Sequence, residues 1–421
     1  MCTADVTLAD TGPDDVVADR LNWVTELVAS SGSLAEESLR PTFAPSFADR
    51  YPDGIASLIT SWRGGGPYEV VSSTCVAHKG WSTLVGVDGQ RHSLAVTVDT
   101  SGQIRRAIFE IEVLPRRPRS YEDVEEILCD TAVDSTAFVA RRADEGWHEL
   151  YARDAQVPMP GGSVFKVYVL LALANALEAG ITTWDTELVL RPSHRSLPTG
   201  EMQDLPNGAH VTVREAAHNM FARSDNTAAD LLITHLGRTS VVEAAVAADH
   251  SHSDLMDPFP TSRELFEIGW GDSPHALEAW RTGNADARAL LLDQLSGPLT
   301  ARVTDLTKPV HHAGLDWFMS ARDVAEGLHH LLAHARKDPD GGLLKMITAY
   351  PGVEIDRELW PTAVFKGGST PGVVMFCWLL EDVEGVEHVV VLQQRAARVG
   401  LLRDGLHLRR LGAAIIHDLL P

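Results

Sequence analysis

Pro160-Gly161-Gly162-Ser163-Val164-Phe165-Lys166-Val167-Tyr168-Val169-Leu170-Leu171-Ala172-Leu173-Ala174 is the stretch on which the fold turns. From Ser163 to Asn175 its single charge is Lys166. A helix that is apolar on every side is a buried helix. A lone lysine inside it is costly unless it is paired or put to use. The i, i+3 spacing sets Ser163 and Lys166 on one face, within reach of each other. Burial favours the neutral amine, which can take the proton of a serine hydroxyl, so one helical turn carries a nucleophile and its base. A core-helix lysine snorkelling to the surface would give the same short pattern, so the motif alone leaves both readings open. Pro158, Pro160, Gly161 and Gly162 form a loop that ends where the helix begins. Ser163 is therefore expected in the first turn, where unpaired N–H groups and the positive dipole end can stabilise an oxyanion. Gly180 is the expected C-cap.

The chain has 421 residues, enough for two or three domains with cores of their own. Its formal net charge of −22 argues against nucleic acid or an anionic membrane as partner. Cys2, Cys75, Cys129 and Cys377 form neither a C-x-x-C pair nor a zinc-ligand spacing, and no disulfide framework is expected. The start Met1-Cys2-Thr3-Ala4-Asp5 lacks the basic and apolar regions of a signal peptide, and no apolar run reaches membrane-spanning length. A cytoplasmic location is expected.

Outward from the helix, the pattern is α+β. Val17, Leu21, Val24 and Val28 predict a helix from about Asp14 to Ala29, and Ile55, Leu58, Ile59 and Trp62 another. Strand-like runs follow at 68–77, 81–87, 92–98 and 104–113, separated by hairpin signals such as Asp88-Gly89 and Ser101-Gly102. Helices before an antiparallel meander resemble the nuclear-transport-factor (NTF2) or ketosteroid-isomerase type of fold, assigned here to residues 1–113. Leu114-Pro115-Arg116-Arg117-Pro118-Arg119 begins a linker, 114–120. The segment 121–421 starts with a helix at 121–129 and strands at 136–141 and 147–152. It ends with strands at 363–366, 373–380 and 388–393 and a helix at 401–420. Strands at both ends of a helical middle imply one sheet built from distant parts of the chain.

Two further motifs join Ser163 and Lys166. Ser224-Asp225-Asn226 lies between a helix opened by the capping box Thr212-x-x-Glu215 and a second one over 228–236. On a short inter-helix loop, serine and asparagine can face a pocket; equally, S-D-N can be a turn and N-cap. Lys366-Gly367-Gly368-Ser369 follows Ala363-Val364-Phe365 and reads as a strand ending at a lysine beside two glycines. That suits an anion held close to backbone, or simply a strand that stops in a glycine turn.

S-x-x-K, S-D-N and K-[ST]-G in this order are similar to the motif set of class A β-lactamases and penicillin-binding proteins. Here Gly367 stands at the usual Thr or Ser, with Ser369 close by to supply a hydroxyl. The resemblance covers about Tyr121 to Pro421 and implies a class A-like α/β/α sandwich with an antiparallel sheet. It implies Ser163 as the acylated nucleophile, Lys166 as its base, and Ser224 with Lys366 as proton relay and carboxylate site. Asn226 would bind a substrate amide or fix Lys166. Ser369 would supply an oxyanion-hole N–H together with Ser163, and Gly368 would lie along the substrate. Asp225 would be structural. The family's deacylating glutamate pattern, E-x-x-L-N, is missing from 249–266. Glu264 there fits a capping box with Thr261, and Asp254 and Asp257 are the remaining substitutes.

The two-domain order also resembles an esterase/β-lactamase-like family associated with clavulanic acid biosynthesis and its actinobacterial relatives. That resemblance implies a serine hydrolase with cephalosporin 3′-acetyl esterase activity and slow β-lactamase activity. It implies a small-molecule partner, a β-lactam, cephalosporin ester or clavam, and no cofactor. By the same resemblance Lys79 would reach the active site, although on its hairpin turn it reads rather as a solvated lysine; Phe376, on the strand after the third motif, reads equally as a pocket-lining or a core residue. The alternatives are a D-alanyl-D-alanine peptidase-like enzyme or a β-lactam-binding protein without turnover. His330 and His334, at i, i+4 beside His329, have a zinc-compatible spacing, yet they read as a solvated helix face, and no metal is assigned.

Overall fold

The chain divides into two units, Met1–Val113 and Leu114–Pro421. The structure is a computed structural model. It describes residues 13–420 except 50, 52, 77–78, 88, 112–116, 130–132, 198, 296, 399–400 and 403–404. The start Met1–Asp5, linker residues 114–116 and the expected strand ends at Ala77 and 112–113 lie outside the described residues.

In the first unit the helical spacing of Val17, Leu21, Val24 and Val28 gives α1 (Pro13–Ala29), which buries all four. Ile55 and Ile59 are the buried side of α2 (Ile55–Trp62). Strands β1 (Tyr68–Val76), β2 (Lys79–Gly86), β3 (Arg91–Val98) and β4 (Ile104–Ile111) pair in chain order as an antiparallel meander. β3 shows the period-two rule, with His92, Leu94, Val96 and Val98 buried and the residues between them more exposed. Leu21, Phe43, Leu84, Leu94 and Ile104 share the core.

The second unit opens with α3 (Tyr121–Cys129), β5 (Asp134–Ala143) and β6 (Gly146–Arg153). Its helical middle includes α4 (Lys166–Glu178), α5 (Val213–Ala222), α6 (Asn226–Leu236), α7 (Ser262–Trp270) and α8 (Ala321–Lys337). Strands β7 (Thr362–Thr370), β8 (Val373–Glu381) and β9 (Glu387–Arg395) then precede α9 (Gly405–Asp418). The five strands form one antiparallel sheet in the order β7-β8-β9-β5-β6. The pleat divides their side chains between two cores. Val364, Met375, Cys377, Val389, Val391 and Phe138 pack with α4 and α8. Ala363, Phe365, Trp378, Val390 and Leu392 pack with α3 and α9 on the other face. The unit is thus a sheet between two helical layers.

One expectation is corrected. β7 does not stop at Lys366 but continues through Gly367, Gly368 and Ser369 to Thr370, all paired to β8. The turn comes at Gly372, which has φ +80°. Glycine is a poor strand former, but here a neighbouring backbone lies where a side chain would project, so packing overrides propensity.

Candidate active site

Ser163 sits in a 3₁₀ turn, Gly162–Phe165, that leads into α4, and not in the first α-helical turn. Gly162 has φ +49°, and a Cβ there would stand 2.7 Å from the Ser369 nitrogen. A Cβ on Gly368 would stand 2.0 Å from the Gly161 oxygen and 2.7 Å from the Ser163 nitrogen. Glycine at both places lets the Ser163 turn and β7 meet backbone to backbone. This brings the Ser163 and Ser369 backbones together across the contact.

Behind Ser163 the helix is buried on all sides from Lys166 to Ala174. Lys166 is 0 % exposed. Its Nζ donates to the Ser224 carbonyl and to Asn226 Oδ1, both at 2.6 Å, and lies 3.2 Å from Ser163 Oγ and 3.4 Å from Ser224 Oγ. Asn226 Nδ2 donates to the Leu197 carbonyl at 2.9 Å, which turns Oδ1 toward the amine. A buried amine without such partners would cost several kcal/mol.

Ser224 has φ +58°, a left-handed backbone that costs a non-glycine residue about 1–2 kcal/mol. The neighbouring bonds hold it there. Asp225 caps α6 by accepting from the Ala228 N–H, while its other oxygen accepts from the Glu201 and Met202 N–H groups at 2.6 and 2.8 Å. Asp225 is therefore fully engaged in structure. Thr199 Oγ1 donates to the Ser224 carbonyl at 2.6 Å, and the Asn226 N–H donates to the Thr199 carbonyl.

From β7, Lys366, 3 % exposed, donates to Ser224 Oγ and to the Gly367 carbonyl, each at 2.9 Å. Ser224 Oγ therefore lies between two amines. Both lysines are buried, Ser163 and Ser224 are half-buried, and Ser369 is exposed, so the hydroxyl side of the cluster faces solvent.

Phe376 is not brought to this cluster. It pairs with Gly367, and residues opposite each other in an antiparallel pair project from the same face. Its ring stacks 6.0 Å from Phe365 on the α3–α9 face, away from the Lys366 side. Lys79 is the first residue of β2 in the other unit, and its side chain lies outside the described atoms.

No carboxylate among the described residues is hydrogen-bonded to Ser163 or Ser224. Glu264 closes the capping box of α7 with Thr261 and pairs with Arg238 at 3.0 Å. Asp254 and Asp257 are exposed. One carboxylate near the Ser163 turn escapes a motif search. Asp316, 2 % exposed, accepts from the Gly162 N–H at 2.9 Å, the Trp317 N–H at 2.8 Å and Thr370 Oγ1 at 2.8 Å. Burial lifts its carboxyl to about 6, against the pull of those donors. The signal was present: Gly314-Leu315-Asp316-Trp317-Phe318-Met319 carries one charge in an apolar run, the criterion that singles out Lys166.

His334 and His329 pair with Glu178 and Glu387. Around His330, Asp249 and Glu326 bring ligand atoms within 4.8 Å of one another, a juxtaposition the sequence reading passes over although Glu326 is one turn away. Glu326 also pairs with Arg142. A cleft of about 770 Å³ lined by Trp270, Glu278, Arg281, Lys308 and His312 contains none of the motif residues.

Residues 12–104 match the family described as the ORF 12 gene product N-terminal. Among curated proteins none matches. Three solved structures are similar in outline. PBP-A is 14 % identical, covering 70 % of this chain and 93 % of its own at a TM-score of 0.46. A beta-lactamase from Sphaerobacter thermophilus is 18 % identical, with 72 % and 99 % covered and a TM-score of 0.46. A representative class A beta-lactamase from Bacteroides cellulosilyticus is 15 % identical, with 71 % and 96 % covered and a TM-score of 0.46. Residues 120–333, 214 of the 421, match the beta-lactamase enzyme family, and the chain belongs to that family.

Proposed function

We propose that the second unit is a serine hydrolase in which Ser163 is the nucleophile and Lys166 its base. The observation that carries this reading is the set of distances at Lys166 Nζ. The two oxygens at 2.6 Å, the Ser224 carbonyl and Asn226 Oδ1, can only accept. A neutral amine has two N–H groups and one lone pair. With its N–H groups directed at those two acceptors, a neutral amine would take the Ser163 hydroxyl proton, 3.2 Å away, on its lone pair. Ser163 Oγ then bonds to the substrate carbonyl carbon, and the bond to the leaving nitrogen or oxygen breaks. The leaving group takes its proton from Ser224 Oγ, which is replenished from Lys166. Lys366 holds Ser224 Oγ and a substrate carboxylate, and the Ser163 and Ser369 N–H groups receive the oxyanion. Gly368 lets substrate lie along β7, and Asn226 fixes Lys166. Phe376 is assigned to the core and Lys79 is given no role.

Among the described residues no carboxylate is hydrogen-bonded to Ser163 or Ser224 to activate the water that must release the acyl group, which argues against rapid lactam turnover. We therefore read the enzyme as an esterase, of the cephalosporin 3′-acetyl type, with slow β-lactamase activity, and place it in clavam or β-lactam biosynthesis. The same absence favours, as second reading, a protein that is acylated without turnover. Residues 1–113 are taken as a domain with an isomerase-type helix-then-meander order, 114–120 as the linker and 121–421 as the hydrolase domain.

The test is intact-protein mass spectrometry over time with a 3′-acetoxy cephalosporin and a penicillin, on wild type and Ser163→Ala. Released acetate and lactam integrity are followed together. Acetate release with the lactam intact, lost in Ser163→Ala, is the expected result. A persistent Ser163 adduct without product would select the binder, and neither adduct nor product with any of these compounds would sink this choice of substrate.

A further inference from the structure

Between the nucleophile turn and β7 lies a single buried carboxylate that bonds to both. Asp316 Oδ1 accepts from the Gly162 N–H, one residue before Ser163, and Oδ2 accepts from the Thr370 hydroxyl, one residue after Ser369. The segment that carries it is itself tied to the turn. Phe318 and Met319 pair with Pro160 and Met159, and the Gly161 N–H donates to the Trp317 carbonyl at 2.8 Å. Where turn and strand touch, neither has a side chain, because both positions are glycine. Their separation therefore depends on what grips them from behind.

We infer that Asp316 is a positioning residue that sets the distance between the Ser163 and Ser369 N–H groups by bridging Gly162 and Thr370. This rests on the hydrolase reading above and extends it. An oxyanion hole works only when its two donors stand at bonding distance from one oxygen. A carboxylate has an acceptor on each side and so can fix two segments at once. Asparagine in its place still accepts from Gly162 through Oδ1, and its amide donates to the Thr370 hydroxyl, which can accept. Leucine breaks both bridges at similar volume.

The experiment compares Asp316→Asn, Asp316→Leu, Thr370→Val and Thr370→Ser in the full chain. Two quantities are read: the rate of nitrophenolate release on acylation by p-nitrophenyl acetate, and amide hydrogen exchange of the 160–165 segment corrected for intrinsic rates. Asp316→Leu is expected to lower kcat at least about 10²-fold, the loss typical of one oxyanion donor, with KM within about threefold. Asp316→Asn is expected to stay within about tenfold of wild type, and Thr370→Ser to restore what Thr370→Val loses. Exchange at Gly162 and Ser163 should rise at least tenfold in Asp316→Leu. A role in stability alone would lower the melting temperature and leave kcat of the folded variants unchanged, which overturns the inference. Unchanged exchange in Asp316→Leu overturns it as well. Should Asp316→Leu not fold, Thr370→Val carries the same two readouts, and unchanged values there overturn it. If the wild type is not acylated at all, the hydrolase reading fails, and the bridge is judged on exchange alone.

Discussion

At the scale of single residues, Ser224 shows strain held where chemistry is proposed. Its left-handed backbone is costly for a side chain with a Cβ, and glycine would remove that cost. Ser224→Gly is therefore expected to keep stability within about 1 kcal/mol of wild type or raise it, because relief of strain offsets added unfolded-state entropy. The same variant should lose about 10²-fold or more in turnover, since the hydroxyl between the two amines is gone. Urea denaturation and steady-state rates on one preparation check both. The lysine of this cluster was legible because one charge in an apolar helix demands a reason. Its partners were legible only as three short motifs in a fixed order. Asp316 obeys the same lone-charge rule but stands in no motif, and its partners are 154 and 54 positions away in sequence. Phe376 shows the opposite failing: one strand position from Lys366's partner Cys377, it falls on the wrong face, which only the register reveals.

At the scale of elements, caps and periodicity were readable, and approach distances were not. The capping boxes at Thr212 and Thr261 open α5 and α7 where their spacing says they should. The extent of β7 was underestimated because Gly367 and Gly368 look like a stop, while the structure uses absent side chains to admit another backbone. A second hidden support is Asp230 on α6. It accepts from the Ser262 and Arg263 N–H groups at the start of α7, at 2.7 and 2.8 Å. Burial raises its carboxyl to about 7, with those two bonds pulling the other way. The folded state thus holds this proton more tightly than the unfolded chain, whose aspartate titrates near 3.9. Its stabilising contribution is complete below about pH 4 and is lost as pH rises through about 7. Wild-type melting temperature should therefore carry a downward slope between about pH 4 and 7 that Asp230→Asn reduces. The slope is the readout, because asparagine cannot accept from both N–H groups and lowers stability at every pH. An unchanged slope would remove Asp230 as its source.

At the scale of the whole molecule, each unit owns its core. One apolar cluster draws only on residues 17–107, and the other two only on residues from 124 onward. Cooperative unfolding follows shared cores, so scanning calorimetry is expected to resolve two transitions, the smaller belonging to the first unit. A single transition matching the van't Hoff enthalpy of the full chain would show coupling between them. The larger unit was legible as helices and strands sharing one sheet, but the strand order was not, because it depends on partners more than 200 residues apart, such as Phe138 and Val391. That separation also acts during synthesis. The first unit's meander joins neighbours and can form as soon as its residues leave the ribosome, well before the second unit is complete. The Ser163 helix emerges next, but Lys366 and the strand behind the nucleophile turn arrive some two hundred codons later. For that interval a nascent chain carries its serine and lysine without the second amine, the facing strand or a complete sheet, so the proposed chemistry has to wait until the last strands are laid down.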